Sequence, residues 1–303
     1  MIKELIWTIL SYMPKRLVWF FSKRYVSGES VHDAINATKR LNAQGIMVTI
    51  DILGELITSL DEAEANKHEY LELIHTAEKE NLDANYSLKP TMFGLLIDPE
   101  VCFGHIKEIV QTAAQYDNFI RIDMEESKCT DLEIDIFKRL YREFPNHVGL
   151  ALQAYLKRTS NDISEMKRLS SQNQVINFRL CKGIYNESET ITYKNYEEIN
   201  AHFLKDLELM IQNGMYSAIA THDTPLIDGA YQLIQQYHLK KHQYEFQMLF
   251  GVRPELRRTI IQEGHRMRVY IPYGKDWKNY CIRRIKENPK IGQYVLRALL
   301  KRA

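Results

Sequence analysis

Residues 46–53 read IMVTIDIL, a short run rich in β-branched residues, and a longer stretch with apolar residues at helical spacing follows at 61–82. The same alternation of strand-like and helical segments repeats along the chain, giving eight pairs. Strands that alternate with helices pair in parallel, and eight repeats predict a closed (βα)8 barrel. The predicted strands are 46–53, 85–89, 119–124, 148–155, 176–182, 217–222, 244–249 and 267–272.

Helices are predicted between these strands, and residues typical of helix starts accompany three of them. Asp61 stands before the first helix, Pro99 opens the second, and Thr130 or Asp131 precedes the third. The clearest helical patterns cover 61–82, 101–116, 131–143, 193–213 and 224–238.

The 303 residues suit one barrel domain with short additions at both ends. We predict an N-terminal helical arm at 1–45 and a distorted TIM-type (βα)8 barrel at 46–288. A short C-terminal tail helix is predicted at 289–303, where Pro289 separates it from the barrel. The composition, with 45% apolar and 26% charged residues, is typical of a globular protein with one large core.

Charge and cysteine content argue against two classes of protein. Forty Lys and Arg residues against 39 Asp and Glu leave a formal net charge of +1, with no excess to neutralise nucleic-acid phosphates. The four cysteines, Cys102, Cys129, Cys181 and Cys281, show no CxxC spacing, and we interpret them as free thiols in a reducing cytoplasm. We therefore expect neither a nucleic-acid partner nor a disulfide framework.

The N-terminal arm carries an amphipathic pattern of its own. Apolar residues recur every three or four positions between Ile2 and Phe21, and aromatic residues such as Trp7 and Trp19 interleave with basic pairs. Pro14 and the basic pairs interrupt any apolar run long enough to span a bilayer. Two interpretations stay open: the arm packs on the barrel or on another subunit, or it makes peripheral membrane contact.

Polar and charged side chains are concentrated where the predicted strands end. In (βα)8 barrels the reacting groups lie at these carboxyl ends and in the loops that follow. Buried charges destabilise a fold unless they are paired, so this set indicates a binding or catalytic site rather than stability alone. The residues are Asp51, Glu55, Lys89, Asp123, Glu125, Glu126, Gln153, Tyr155, Arg179, Lys182, Tyr185, Thr221, His222, Asp223, Gln247, Tyr270 and Tyr273.

A further basic feature follows the eighth strand, in the sequence YCIRRIKE at 280–287. Arg283 and Arg284 fall on a predicted helix that begins beside the barrel mouth. Together with Lys89 they could hold a carboxylate or a phosphate, since barrels often bind phosphates at this position. The alternative is a solvated basic helix face.

Other common site signatures are missing from the sequence. It contains neither a GxGxxG nor a GxxxxGK[ST] motif, which are the usual phosphate-binding loops of nucleotide sites. His238 and His242 lie in a polar segment without an acidic partner nearby, so no metal site is predicted. From the residues alone, the chain is a barrel enzyme that acts on a small anion.

The polar strand ends also form a series of sequence words. In chain order these are SLKP at 87–90, RIDMEES at 121–127, LQAYLKR at 152–158, RLCKGIY at 179–185, ATHD at 220–223, EFQMLFG at 245–251, RVYIPYG at 268–274 and YCIRRIKEN at 280–288. The ordered set resembles the proline dehydrogenase family, specifically its small monofunctional bacterial members. The resemblance covers about residue 40 to residue 288, and the joint spacing of the last two words is its most specific part.

The resemblance implies that the chain binds L-proline at the barrel mouth. Basic residues would hold the substrate carboxylate, and two further side chains would shape the slot around the pyrrolidine ring. An acidic residue would orient Lys89 or neighbouring polar groups. The basic residues are Lys89, Arg283 and Arg284. The two slot residues are Tyr270 and Leu249, and the acidic residue is Asp123.

The same resemblance implies FAD as cofactor. An arginine beside flavin N5 stabilises the electron-rich reduced ring, which suits hydride transfer from the proline ring carbon next to nitrogen. The implied contacts to the ring system are Gln153 and Arg179 at the isoalloxazine and Gln247 in the flavin region. Cys181 lies in the flavin-contacting strand, in place of the expected aliphatic residue. For the rest of the cofactor, the implied contacts are Lys182 and Gly183 at the pyrophosphate, Thr221 and His222 on the adenylate side, and Glu287 at the ribose.

The implied activity is oxidation of L-proline to Δ1-pyrroline-5-carboxylate, the first step of proline degradation to glutamate, with electrons passed to a quinone. We find no aldehyde dehydrogenase or DNA-binding region, so a separate pyrroline-5-carboxylate dehydrogenase is expected to act on the product. The expected location is the cytoplasm, with peripheral contact on the inner face of the cell membrane if the N-terminal arm binds lipid.

Two other functions stay open on the residues. A Schiff-base lyase or aldolase would use Lys89 or Lys182 as a desolvated nucleophile at a strand end. A non-catalytic barrel would serve as scaffold for an N-terminal arm that docks on a membrane or a partner. Both alternatives predict a protein without bound flavin.

Overall fold

The computed structural model describes Trp19 and residues 23–54, 56–170, 174–278 and 280–281. Within these ranges, eight strands follow one another around a closed barrel, and every neighbouring pair is parallel. The predicted (βα)8 architecture is thereby confirmed. The strands are β1 Met47–Ile52, β2 Ala84–Leu88, β3 Ile120–Ile122, β4 Val148–Gln153, β5 Asn177–Cys181, β6 Tyr216–Ala220, β7 Tyr244–Leu249 and β8 Met267–Tyr273.

Helices alternate with the strands around the outside of the barrel. One of them precedes β1, and seven follow the strands from β1 to β7 within the described residues. They are α1 Val31–Asn42, α2 Leu60–Lys79, α3 Pro99–Gln115, α4 Thr130–Glu143, α5 Thr159–Met166, α6 Tyr196–Gln212, α7 Thr224–Gln236 and α8 Pro254–Gln262.

Helix starts differ from the prediction in two of three cases. Ser59, rather than Asp61, is the N-cap of α2, because its side chain accepts a hydrogen bond from the Glu62 amide. Pro99 opens α3 as predicted, directly after the capping side chain of Asp98. At α4 the N-cap position belongs to Cys129, whose side chain makes no capping bond, and Thr130 is the first helical residue.

The two faces of the sheet have opposite character. Alternate residues of β1, such as Val48 and Ile50, are fully buried and belong to the apolar core. The side chains between them are polar, and they bond to other strands across the barrel interior. Arg179 of β5, for example, reaches both Gln247 of β7 and Asp123 beside β3. The interior of the barrel is therefore a polar network that leads towards the carboxyl ends of the strands.

The predicted terminal segments fall mostly outside the described residues. The segment before α1 is attached to β8, since the Ser27 amide donates to the Pro272 carbonyl at 3.0 Å, and Trp19 lies 4.8 Å from Trp277 between ring centroids. The rest of the amphipathic pattern at 2–21 and the predicted tail helix at 289–303 lie outside the described part, so those boundaries stay predictions. Across the residues that the structure describes, no helix combines the length and apolar character needed to cross a bilayer.

Candidate active site

A cavity of about 780 Å³ opens at the carboxyl ends of the strands. This size is within the range of cofactor and substrate sites. Twelve of the residues predicted for the site line it together, while Arg283, Arg284 and Glu287 lie outside the described residues. The twelve are Lys89, Asp123, Gln153, Arg179, Cys181, Lys182, Gly183, Thr221, His222, Gln247, Leu249 and Tyr270.

Arg179 is the centre of the polar network below this cavity. Its Nη1 atom donates to Asp123 at 2.5 Å and to Ser87 at 3.1 Å, and its Nε atom donates to Gln247 at 2.7 Å. The guanidinium carbon lies 5.1 Å from the centroid of the Tyr270 ring. The remaining nitrogen, Nη2, is buried and has no hydrogen-bond partner among the described residues. Three hydrogen bonds through Nη1 and Nε thus hold the guanidinium, and Nη2 is left as a donor for a bound group.

The orientation of Arg179 is supported from deeper in the barrel. Gln247 donates through Nε2 to Glu245 at 2.7 Å, so its carbonyl oxygen is the end that faces Arg179. Glu245 also accepts from Arg268 at 2.8 Å and from Tyr216 at 2.9 Å. Burial acts to raise the pKa of Glu245, but the charge of Arg268 and the hydrogen bonds lower it to about 2. This carboxylate stays ionised and fixes the amide above it.

Two carboxylates, Asp51 and Asp123, and the lysine Lys89 also line this cavity. Lys89 Nζ donates to both oxygens of Asp51, at 2.8 and 3.0 Å, whereas its distance to Asp123 is 4.0 Å. Burial raises the pKa of Asp51 to about 6; Lys89 opposes the shift and the charge of Asp123 adds to it. Asp51, rather than Asp123, is therefore the close partner of Lys89. Asp123 instead holds Arg179 and accepts from the Tyr270 hydroxyl at 2.9 Å.

Three further residues of the cavity wall have defined hydrogen-bonding states. The side-chain amide nitrogen of Gln153 donates a hydrogen bond to the Glu125 backbone carbonyl at 2.9 Å, which leaves the side-chain oxygen of Gln153 as an acceptor. His222 Nε2 accepts from the Leu249 amide at 2.8 Å, so the neutral ring carries its proton on Nδ1. Burial raises the pKa of the Cys181 thiol to about 11, which keeps it uncharged.

The loop after β5 bends at a glycine. Gly183 has a φ of +101°, and a Cβ atom at this position would stand 2.1 Å from the ring of Tyr155. Only glycine adopts this conformation with so close a neighbour. The turn brings the Lys182 side chain to the cavity wall, where its Nζ atom donates to Asp223 at 2.5 Å.

Two wall residues, Asp51 and Asp223, have partners that the sequence did not reveal. Both stood among the polar strand ends, but neither had an assigned role. The period of two along β1 places Asp51 on the same face as Thr49, which was the available signal. Tyr185 and Tyr280 also line the cavity. Within the described ranges, no group of three or more His, Cys, Asp or Glu side chains could hold a metal ion.

A closed parallel barrel with a large cavity at the carboxyl ends of its strands, lined in part by charged and polar side chains, defines a (βα)8-barrel enzyme. Comparison with known proteins then identifies the family. The family profile described as proline dehydrogenase matches residues 34–295. The chain belongs to the proline dehydrogenase family.

Curated relatives agree with this family, and a solved structure shares the fold. Proline dehydrogenase 1 of Bacillus subtilis strain 168 is 37% identical over 281 residues, which cover 93% of this chain and 91% of the relative. Proline dehydrogenase of Deinococcus radiodurans is 32% identical, with 95% and 93% covered. The crystal structure of proline utilization A from Bdellovibrio bacteriovorus, inactivated by N-propargylglycine, has the same fold with a TM-score of 0.83 and 24% identity. That match covers 88% of this chain and 32% of the larger protein.

Proposed function

We propose that the chain oxidises L-proline to Δ1-pyrroline-5-carboxylate with FAD as cofactor, as the first step of proline degradation. The observation that carries the proposal is the buried Arg179 at the cavity, which keeps Nη2 without a hydrogen-bond partner among the described residues. The reaction is the one expected of the proline dehydrogenase family, to which the chain belongs. This Nη2 donor of Arg179 could bind an electron-rich ring such as that of a reduced flavin.

The residues at the cavity fit a flavin nucleotide. Arg179 Nη2 and the Gln153 oxygen offer a donor and an acceptor to the ring system, and Lys182 beside Gly183 offers a cation to the pyrophosphate. When bound, FAD supplies the two-electron acceptor at N5 for a hydride from the substrate ring. The protein contributes position and charge. The Glu245–Gln247 pair holds the guanidinium of Arg179 in one orientation, so no reorganisation is needed during the reaction.

The substrate site is proposed on the Lys89 side of the same cavity. Lys89, held by Asp51, presents a cation to the proline carboxylate. Tyr270, fixed by Asp123, and Leu249 bound the slot around the small ring. Arg283 and Arg284, outside the described residues, are proposed to complete the carboxylate site. Holding the substrate in one pose beside the acceptor lowers the entropic cost of hydride transfer.

The structure disfavours the lyase alternative. A Schiff-base lysine must be an uncharged amine to attack a carbonyl, and a desolvated site without an anion favours that form. Lys89 and Lys182 are both ion-paired, to Asp51 at 2.8 Å and to Asp223 at 2.5 Å. Each candidate lysine therefore lies against an anion, which is the opposite of the environment that a Schiff-base nucleophile needs.

For the electrons, we propose a membrane quinone as acceptor. The support is the family resemblance together with the amphipathic, aromatic and basic sequence at 2–21, which would allow a cytoplasmic protein to contact the inner face of the membrane. The product would pass to a separate pyrroline-5-carboxylate dehydrogenase. The curated relatives include bifunctional PutA proteins, of which the chain covers 23%.

A turnover assay tests this proposal. Purified protein should carry FAD and convert L-proline to Δ1-pyrroline-5-carboxylate with a soluble quinone as acceptor. D-proline is the matched control, because its inverted centre cannot place carboxylate and C–H bond correctly at the same time. A colourless protein that borohydride traps with a carbonyl substrate would contradict the proposal and support the lyase.

A further inference from the structure

Lys182 belongs to a three-residue cluster at the cavity rim. Its Nζ atom donates to Asp223 Oδ2 at 2.5 Å and lies 4.2 Å from the centroid of the Tyr196 ring. The Tyr196 hydroxyl donates to the same carboxylate oxygen at 2.6 Å. Asp223 therefore receives two donors on one atom, and the ammonium is fixed between an anion and an aromatic face.

The carboxylate of Asp223 binds Lys182 and Tyr196 and does not cap the helix that Asp223 precedes. Asp223 is the N-cap of α7, yet its side chain makes no capping hydrogen bond. At α3, the N-cap Asp98 accepts from the amides of Glu100 and Val101, which is the usual arrangement. The Asp223 side chain thus has two uses within reach, the ammonium of Lys182 or the start of α7, and the structure contains the first.

We infer that Asp223 is an internal competitor for Lys182, which holds the ammonium while phosphate is absent and yields it when the FAD pyrophosphate binds. The inference rests on the proposed function. A carboxylate that stayed on Lys182 would face the pyrophosphate at close range, and like charges that share one cation repel each other. On release, Asp223 can cap α7, which offsets part of the cost of breaking the ion pair.

The charge state of Asp223 is consistent with this role. Burial acts to raise its pKa, but hydrogen bonds from Lys182 and Tyr196 lower it below its ordinary value, so the carboxylate is ionised at neutral pH. The pair is part-buried, with 28% of the Lys182 side chain and 21% of the Asp223 side chain exposed. Competition is therefore screened only in part by water, and its removal should raise FAD affinity measurably.

The test is a binding measurement on protein stripped of flavin. Asp223→Asn keeps the shape and the capping capacity of the residue but removes its charge, and Asp223→Ser provides a second capping variant. Both should bind FAD about tenfold more tightly than wild type, as flavin fluorescence on titration would report. Riboflavin, which has no phosphates, should bind all three proteins equally.

Two controls separate this role from a general effect of charge. Glu197→Gln removes an exposed negative charge from the start of α6, near Tyr196, and should leave FAD affinity unchanged. In a Lys182→Met background, Asp223→Asn should have no effect, because the shared cation is gone.

Each failure has its own meaning. Unchanged or weaker FAD binding in both Asp223 variants overturns the inference, as does an equal gain from Glu197→Gln or an equal gain for riboflavin. Failure of wild-type protein to bind FAD would instead refute the proposed function, and the inference would fall with it.

Discussion

Two carboxylates of the barrel interior, Glu245 and Asp51, are equally buried, but their pKa values are shifted in opposite directions. Glu245 lies in the lower layer and has a pKa lowered to about 2, despite burial, by Arg268 and its hydrogen bonds. Asp51 lies at the mouth, where burial raises the pKa to about 6 against the effect of Lys89. Two positions on the inner face of one sheet thus provide two different environments.

The difference lies in their partners. Glu245 accepts hydrogen bonds from three side chains, Arg268, Gln247 and Tyr216, which together outweigh its desolvation. Asp51 has the ammonium of Lys89 and, nearby, a second carboxylate in Asp123. The charge of Glu245 in the lower layer is satisfied by the protein itself. At the mouth, Arg179 keeps a donor without a partner among the described residues, which is the property expected of a binding site rather than of a core.

Matched arginine substitutions should give the largest effect. Arg179→Met, at the mouth, should reduce kcat/KM for proline by about 100- to 1000-fold, because it removes a fixed donor beside the site of developing charge. Arg268→Met, in the lower layer, should instead reduce the free energy of unfolding by about 3–5 kcal/mol, because Glu245 is left buried without its cation. Steady-state kinetics and urea unfolding measure the two quantities.

The comparison fails if the loss of kcat/KM does not follow Arg179→Met, or if the loss of stability does not follow Arg268→Met. Arg258→Met, which changes an exposed arginine of α8, serves as the control and should alter neither quantity. If Arg179→Met cost as much stability as Arg268→Met and left kcat/KM unchanged, the mouth would be an ordinary part of the core.

A glycine pair gives the next effect. Gly183→Ala should weaken FAD binding by about 10- to 100-fold, because the added Cβ meets the Tyr155 ring in a backbone conformation with φ of +101°. Gly104→Ala, on α3, meets nothing within 4 Å and should leave FAD binding unchanged while stabilising the helix by up to about 1 kcal/mol. Flavin titration of the stripped proteins provides the measurement, and equal FAD affinity in Gly183→Ala would show that the turn does not shape the cofactor site.

The two carboxylates should produce pH effects of opposite sign. Because the folded-state pKa of Asp51 is raised, its contribution to stability is full below the unfolded value of 3.8 and is lost as pH rises through about 6. Because the pKa of Glu245 is lowered, its contribution is full above 4.5 and is lost as pH falls towards 2.

Each effect should amount to about 1–3 kcal/mol. Asp51→Asn should flatten the stability profile between pH 4 and 6, and Glu245→Gln should flatten it between pH 2 and 4.5. Unfolding by urea across this range measures both slopes. Parallel profiles for the two variants would contradict the distinction between the layers.

Much of the fold could be predicted from sequence because buried parallel strands carry a strong signal. The predicted strand 46–53 corresponds to Met47–Ile52, and 244–249 corresponds to Tyr244–Leu249 without change. Short helices gave a weaker signal. α5, with eight residues, and α8, with nine, were not located individually, since two turns contain few apolar repeats.

The residues that line the cavity were predictable from the sequence, but the pairing of their side chains was not. Strand alternation and the order of the motifs predicted that Lys89, Arg179 and Lys182 lie together, and all three line one cavity. Lys89 bonds to Asp51 instead of Asp123, and Asp223 bonds to Lys182 instead of capping its helix. Both pairings depend on side-chain rotamers and cross-strand distances. A one-dimensional pattern does not contain these quantities.

The most direct test of the account is anaerobic titration of the FAD-loaded protein with L-proline, followed through the visible flavin band. We predict that L-proline bleaches the band fully in wild type and that D-proline does not. In Arg179→Met, FAD should remain bound while bleaching by L-proline slows by about 100-fold or more. Equal bleaching rates in wild type and variant, or an unbleached wild type, would contradict a flavin site at the mouth of the barrel.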